Sequence, residues 1–569
     1  MVANRVVILG LDGATFDLLG PWLDAGRLPH LKRMIDEGVS GELRSCIPPV
    51  TAPAWTSFFT GKNPGKHGVF DFVRQDRSTY EFHPVDSRSY HGKALWEVIG
   101  EQGKKVAVLN VPMTHPAYPV NGVLVSDFLL ATSKGEKSHP KGWLGEIEKA
   151  FGPYPTETVP PYFAGRYLEE DVERFLQEYG QAMRYKLRVA HHLLELEKPD
   201  FLMLHLFGND QICHWLWHFM DERHPRHPGR ESNRQQERIL EYYRAFDTEV
   251  GRLLDQTGEE VSLFIVSDHG FGPVHRSIDF NTWLYREGYL VLKERPSTRI
   301  RHLLWRLGLT PQALMERDWF LRLAKEIFVR LKRKRSTGNV DDLRQAHAFL
   351  RLFLSFQDID WSRTRAFSPF GFGQIRINVR GTWAQGCVSE GLEYENLRKE
   401  IIEKLRVLKD PETGEVLDGV VLKREEIYHG NLVGDAPEIF FVPVNGKYRP
   451  KSTGFSSRSV FSSSGWMTGI HRLAGVIVGR GKPLNRGRRL EGVRITDVFP
   501  AVLGLMGLEI PGDVDGRVPH GMFREEFLQA EPIRWGLADP PKRQELANET
   551  GREEEREVME RLRSLGYLE

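Results

Sequence analysis

The chain has 569 residues, of which 27% are charged and 40% hydrophobic, and its mean hydropathy is −0.41. This is ordinary globular composition, which excludes wholesale disorder, and no uncharged apolar run approaches the ~18 residues of a membrane-spanning helix. Lysine and arginine number 78 against 77 aspartates and glutamates, a net charge of +1, so no global field draws a nucleic acid polymer or an anionic membrane.

The length fits about three or four domain-sized units, or one large α/β domain with insertions. Cys46, Cys213 and Cys387 are too few and too scattered for a disulfide scaffold or a four-cysteine zinc site. The opening MVANRVVILGLDG is interrupted by Asp12 too soon for a signal peptide. A cytoplasmic location is therefore expected.

In chain order, Arg5 to Leu11 (RVVILGL) is a continuous apolar run that suits a strand buried on both faces. Next comes PPVTAPAWTSFFTGKNPGKHG, Pro48 to Gly68, in which Pro53 suits the first turn of a helix and Gly61 its end. Further apolar runs are VAVLN (Val106 to Asn110), FLMLHL (Phe201 to Leu206), VSLFIVS (Val261 to Ser267) and AGVIVG (Ala474 to Gly479). Helical patterns lie between them at Lys93 to Gly103, Glu169 to Glu197 and Gln236 to Gln256. Strands alternating with helices predict a mostly parallel central sheet flanked by helices.

Two stretches break that pattern. Glu294 to Arg335 is basic and helical, densest at Leu323 to Arg335, and Trp361 to Tyr448 mixes short strands with a charged helix at Glu393 to Leu408. Together they read as an inserted α+β cap. The expected organisation is a first core part over 1–290, the cap over 291–450, a last core part over 451–530 and a charged helical tail over 531–569, with a helix at Arg552 to Leu565. Gly454 to Gly465 is serine-rich and predicts a mobile loop.

Three acids share one placement. Asp12 follows RVVILGL, Asp210 lies four residues after FLMLHL, and Asp268 follows VSLFIVS. Ligands of parallel sheets bind outside the carboxyl ends of the strands, so three carboxylates meet at one edge, and cations relieve their repulsion. His269 adjoins Asp268, His214 is one helical turn past Asp210, and His471 precedes AGVIVG. Oxygen and nitrogen ligands without thiolate suit two zinc or manganese ions. Taken singly, each acid reads first as a turn or helix-cap residue, and each histidine as a structural or surface one; the joint placement is what points to a site. His218 is a weaker substitute for His214, His205 reads as core, and His224 and His227 read as exposed loop. Thr51 sits at the predicted helix N-terminus, where free N–H groups favour phosphate, and it is either a nucleophile or a simple cap. Thr56, Ser57 and Thr60 fall inside the helix and are weaker nucleophile candidates.

LGLDG, TAPAWTSFFTG with KHGV, the ND…H pair, SDHG, GIH and ITDVFPAVLGLMGLEIPGDVDG together, in this order from Asp12 to Gly516, resemble the alkaline phosphatase superfamily. The likeness is to its type I phosphodiesterase/nucleotide pyrophosphatase branch, in particular the prokaryotic phosphohydrolase/phosphomutase group. The resemblance implies an alkaline-phosphatase-like core and two metals, usually zinc. Asp12, Thr51, Asp268 and His269 would hold one, and Asp210, His214 and His471 the other. It implies Thr51 as nucleophile, a phosphothreonine intermediate, and a small phosphate ester as substrate. Phosphomutase, phosphomonoesterase and non-catalytic binding are the rival readings. Many nucleotide pyrophosphatases carry an asparagine three residues after the nucleophile; here that position is Ala54, followed by Trp55. Asn63, Lys66 or a residue of the insertion is the expected substitute. In relatives the insertion shapes the substrate pocket, which makes Arg376, Asn378 and Arg380 candidate anion contacts or, alternatively, solvated strand residues.

Overall fold

The computed structural model describes residues 5–127, 129–131, 135–156, 169–311, 313, 353–444, 446–451, 455–538 and 551–568. Its centre is a nine-stranded sheet in the order Arg488–Arg494, Val39–Arg44, Ala474–Arg480, Val261–Val266, Arg5–Leu11, Phe201–Leu206, Val106–Leu109, Gly122–Val125 and Ser138–His139. Five neighbours, from Val261–Val266 across to Gly122–Val125, are parallel. Phe201–Leu206 and Val261–Val266 are buried at every position, as is Val6 to Leu11. A strand that is apolar on both faces is stable only when helices cover both. Glu169–Leu196 and Asn233–Thr257 supply part of that cover and pack against each other through stripes such as Tyr179, Met183 and Leu187 on the first, and Tyr243, Val250 and Leu254 on the second.

The strand Ala474–Arg480 runs antiparallel to both its neighbours, with Ile477 opposite Val266 and Ala474 opposite Arg44. Its start therefore lies at the edge where Val39–Arg44, Val261–Val266, Arg5–Leu11 and Phe201–Leu206 end. This reversal brings a residue that precedes a strand to the same edge as residues that follow strands. The order of segments along the chain thus collapses into one location.

A second sheet is antiparallel, in the order Ala366–Phe367, Gln374–Ile377, Ile439–Pro443 and Gly419–Lys423, with the helix Leu392–Arg406 against it. Its core extends from Ile278 to Phe461 and takes in Tyr80, which stacks on Trp361 at 4.0 Å and on Trp383 at 5.2 Å. The basic run Leu323 to Arg335 lies outside the described residues. The serine-rich stretch is more ordered than its composition predicts. Phe461–Ser463 pairs with Arg276–Asp279, because Phe455, Val460 and Phe461 are apolar enough to bury among the polar residues. His224 is another departure. It is buried, accepts from the Arg226 N–H at Nδ1 and donates from Nε2 to the Val274 carbonyl at 3.0 Å. His227 is half-buried against Ser232. No described helix is long and apolar enough to cross a membrane.

Candidate active site

Each expected residue reaches the carboxyl edge of the parallel strands by a local device. Asp12 leaves its strand at a turn through Gly13, whose φ is +68° and where a Cβ would stand 2.5 Å from the Phe271 ring. The Gly13 N–H donates to Asp268 Oδ1 at 3.2 Å. Asp210 and His214 lie one turn apart on the helix Gly208–Met220. His471 is fixed by a short ribbon, Gly270–Pro273 with Gly469–Arg472, in which it sits opposite Phe271. Thr51 opens the helix Thr51–Thr60, and the capping position is Val50, with no side-chain cap bond. The threonine hydroxyl is therefore not spent on capping. Thr56, Ser57 and Thr60 each donate to the carbonyl four residues back, at 2.7, 2.8 and 2.6 Å, and Thr51 is the helix hydroxyl that faces His269.

The side chains form two adjoining groups. In the first, His269 Nε2 lies 3.2 Å from Asp268 Oδ2, 3.5 Å from Asp12 Oδ1 and 3.5 Å from Thr51 Oγ1. In the second, His471 Nε2 lies 3.1 Å from Asp210 Oδ1 and 2.9 Å from His214 Nε2, and His214 Nε2 is 3.5 Å from Asp210 Oδ1. The groups meet where His269 stacks on His471 at 3.6 Å. Ligand atoms of Asp12, Asp268 and His269, and again of Asp210, His269 and His471, fall within 4.8 Å of one another. Asp12, Thr51, Asp210, Asp268 and His269 are 0% exposed, His214 3% and His471 6%, so water is largely excluded.

The next layer of contacts orients these atoms. His214 Nδ1 faces the Gly469 carbonyl at 3.1 Å, His269 Nδ1 the Gly270 carbonyl at 3.2 Å, and His471 Nδ1 the Pro49 carbonyl at 2.8 Å. A carbonyl only accepts, so each Nδ1 donates and each ring turns its Nε2 toward the carboxylates. The carboxylates follow the same division. Asp12 Oδ2 takes the Trp55 indole at 3.1 Å and His205 Nε2 at 2.7 Å, and Asp268 Oδ1 takes the Gly13 N–H. Asp210 Oδ2 takes Gln211 Nε2 at 3.0 Å and the Tyr567 hydroxyl. In each case the other oxygen points at the imidazoles, and the buried Asp268 Oδ2 accepts no hydrogen bond. Burial, with Asp12 beside it, pushes Asp268 well above the ordinary carboxylate range. Burial lowers His214 to about 4 and holds His269 well below its usual value. Asp210 is opposed by burial but drawn below its ordinary range by His214, His471 and His269 around it. Three carboxylates and three imidazoles that converge in a buried site carry an electrostatic cost that cations relieve, and this donor set fits divalent cations.

Other expected contacts do not join the site. Arg376 is buried and donates to the Asp435 and Ala436 carbonyls, and Asn378 donates to the Trp361 and Thr364 carbonyls. Both brace the second sheet, whereas Arg380 is exposed. Asn63 and Lys66 are both engaged by Asp515. His218 packs on Phe219 and lies 6.1 Å from the His224 ring. Four contributors were not legible as such: His205, Trp55, Asn209, which donates to the Asp12 carbonyl and accepts from Tyr243, and Tyr567. The strand alternation at His205 and the Asn-Asp pair were weak signals for two of them, and nothing near Tyr567 links it to Asp210.

His67 of the KHGV motif braces the helix that carries Thr51. It accepts from the Val69 N–H at Nδ1 and meets Ser57 Oγ at 2.9 Å through Nε2. Burial lowers it to about 3 from the usual 6.5. The folded state therefore refuses a proton that the unfolded chain accepts. The stability it contributes is full above pH 6.5 and is lost as pH falls toward 3. Between pH 6.5 and 5 the expected loss from this residue is about 2 kcal/mol. Urea melts across that range will show a shallower pH slope for His67→Gln than for the parent chain; equal slopes would refute the assignment.

Comparison with known proteins places the sequence in a family. The sequence model of the type I phosphodiesterase/nucleotide pyrophosphatase family matches residues 6–353. A search of curated proteins gave no match. Among solved structures, phosphonoacetate hydrolase from Sinorhizobium meliloti 1021 in complex with phosphonoformate aligns with a TM-score of 0.48 and 15% identity over 89% of this chain and 96% of that one. Human ectonucleotide pyrophosphatase/phosphodiesterase 5 aligns with a TM-score of 0.46 and 13% identity over 93% of this chain and 99% of that one. The family match spans Asp12, Thr51, Asp210, His214, Asp268 and His269, while His471 lies beyond it and is joined to them by the fold. The chain belongs to the type I phosphodiesterase/nucleotide pyrophosphatase family, and is a phosphoryl-ester hydrolase of that type.

Proposed function

We propose that the chain cleaves phosphodiester or pyrophosphate bonds of a small substrate, with Thr51 as nucleophile and two divalent cations. Asp12, Thr51, Asp268 and His269 hold one cation, and Asp210, His214 and His471 the other. Zinc or manganese suits these donors. Such cations, when bound, neutralise charge that develops on the attacking and leaving oxygens. Thr51 Oγ1 displaces the leaving alcohol or phosphate in line, giving a phosphothreonine that still carries the substrate's other substituent, and water then attacks from the vacated side, freeing Thr51 and releasing the phosphate monoester. Two in-line displacements retain configuration at phosphorus. The observation that carries this reading is the approach of the uncapped Thr51 hydroxyl to His269 Nε2, beside Asp12 and Asp268.

A diester is the favoured substrate class. A monoester carries about two negative charges and calls for extra cationic donors. Ile47 to Phe59 contains no charged residue, and Arg376 is committed to backbone carbonyls. Trp55, Phe58 and Phe59 are packed in the core, so only the lack of charge bears on the choice. The expected result is a higher kcat/KM for an aryl phosphodiester than for the matching monoester at equal metal and pH; the reverse preference would refute the diester reading. The burial of Thr51 also favours a second reading, a phosphomutase in which the phosphothreonine returns its phosphoryl group to substrate. Transfer of a labelled phosphoryl group to a second hydroxyl of the substrate, with no oxygen from isotopically labelled water entering the product, would select the mutase. The three cysteines are free, which accords with the proposed cytoplasmic location.

A further inference from the structure

We infer that Tyr567, delivered by the helix Arg552–Ser564, is a positioning residue for Asp210 and so makes the tail a working part of the proposed cation site. The inference rests on the two-cation reading given above.

The tail is docked rather than draped. Val558, Leu562 and Leu565 are buried in the main core. Arg561 donates to the Leu129 and Ala131 carbonyls at 3.2 and 2.6 Å, and Glu555 meets His83 at 3.1 Å. After the helix the chain turns through Gly566, with φ +89°, a conformation that costs glycine little. The turn directs Tyr567 inward. Its ring lies 4.6 Å from Phe72, 6.3 Å from Phe207 and 5.9 Å from His214. Its hydroxyl donates to Asp210 Oδ2.

Asp210 Oδ2 thereby receives two donors, Tyr567 and Gln211, and Gln211 Nε2 is itself 3.4 Å from the Tyr567 oxygen. With Oδ2 held on one side, Oδ1 is the oxygen turned toward His214 and His471 Nε2. Trp55 and His205 do the same for Asp12 from within the sheet region, and Gly13 does so for Asp268. For Asp210 one of the two donors comes from 357 residues away. Loss of such an orienting partner typically costs ~10–100-fold in metal affinity or activity.

The test is a zinc titration of metal-stripped full-length chain against a chromophoric competing chelator, for the parent, Tyr567→Phe, His471→Ala and the double variant. Phenylalanine keeps the ring packing on Phe72 and Phe207, so the melting temperature serves as a check that only the hydroxyl is lost. The parent is expected to bind two zinc ions. Tyr567→Phe should weaken one of them by ~10–100-fold and leave the other unchanged. In the His471→Ala background the same substitution should leave the remaining ion's affinity unaltered, a selectivity that general loosening of the fold would not produce. Unchanged affinity at both sites in Tyr567→Phe would overturn the inference while sparing the two-cation reading. A parent chain that binds fewer than two ions would overturn both. Higher turnover in Tyr567→Phe with intact zinc affinity would identify the tail as an obstructing plug, and would overturn the positioning role.

Discussion

Thr51→Ala should lower turnover by about 10³-fold or more while the chain still folds and still takes up two cations. The separation of these effects follows from where the hydroxyl sits. Thr51 opens its helix but does not cap it, since Val50 occupies that position without a side-chain bond. Alanine is at least as good a helix former, so the helix loses nothing it relied on. The hydroxyl approaches His269 Nε2 at 3.5 Å, and Asp12, Asp268 and His269, the other proposed ligands, remain when it is removed. Only the proposed attacking atom disappears. Circular dichroism, metal content and hydrolysis of an aryl diester measure the three quantities separately. Turnover near that of the parent would show that the nucleophile is not Thr51.

His471→Ala should reduce bound cations from two per chain toward one and should abolish most activity. The residue supplies the Nε2 that lies within 3.1 Å of both Asp210 Oδ1 and His214 Nε2, and two ligands rarely hold a zinc ion that three held. The substitution also strands the Pro49 carbonyl, which His471 Nδ1 satisfied, and removes the ring between His269 and Phe372. A stability loss of about 1–3 kcal/mol is expected from the stranded carbonyl, small enough to leave a folded chain for metal analysis. His520, which is exposed, provides the control: His520→Ala should leave two cations bound. Retention of both cations in His471→Ala would separate His471 from the site.

The fold was readable because parallel strands under two layers of helix must be continuously apolar, and RVVILGL, FLMLHL and VSLFIVS have that character. The acids were readable because they stand where those runs stop. The pairing of Asp210 with His214 needed only helical spacing. Contacts that depend on how distant surfaces dock were beyond the sequence. Tyr567 lies in a charged amphipathic tail and reaches Asp210 only because Leu562 and Leu565 bury in the main core. His205 looked like an interior strand residue, and it is one, but its ring closes on Asp12 because the two strands are adjacent. Arg376 and Asn378 were misread for the opposite reason. Period-two alternation shows that successive residues face opposite sides of a sheet, but not which backbone carbonyls wait there. His224 shows the same limit in a loop, where a Pro-rich surface sequence conceals a buried imidazole.

The central claim, that a phosphoryl group passes through Thr51, is tested most directly by trapping it. The chain loaded with zinc or manganese and turning over an aryl phosphodiester should be quenched in acid, digested and analysed by mass spectrometry. The account predicts one phosphoryl group that still bears the substrate's remaining ester substituent on the peptide that contains Thr51, localised to that residue by fragmentation and missing from Thr51→Ala. A phosphoryl group on a different side chain, or steady turnover by an enzyme that remains unmodified at every quench time, would contradict it.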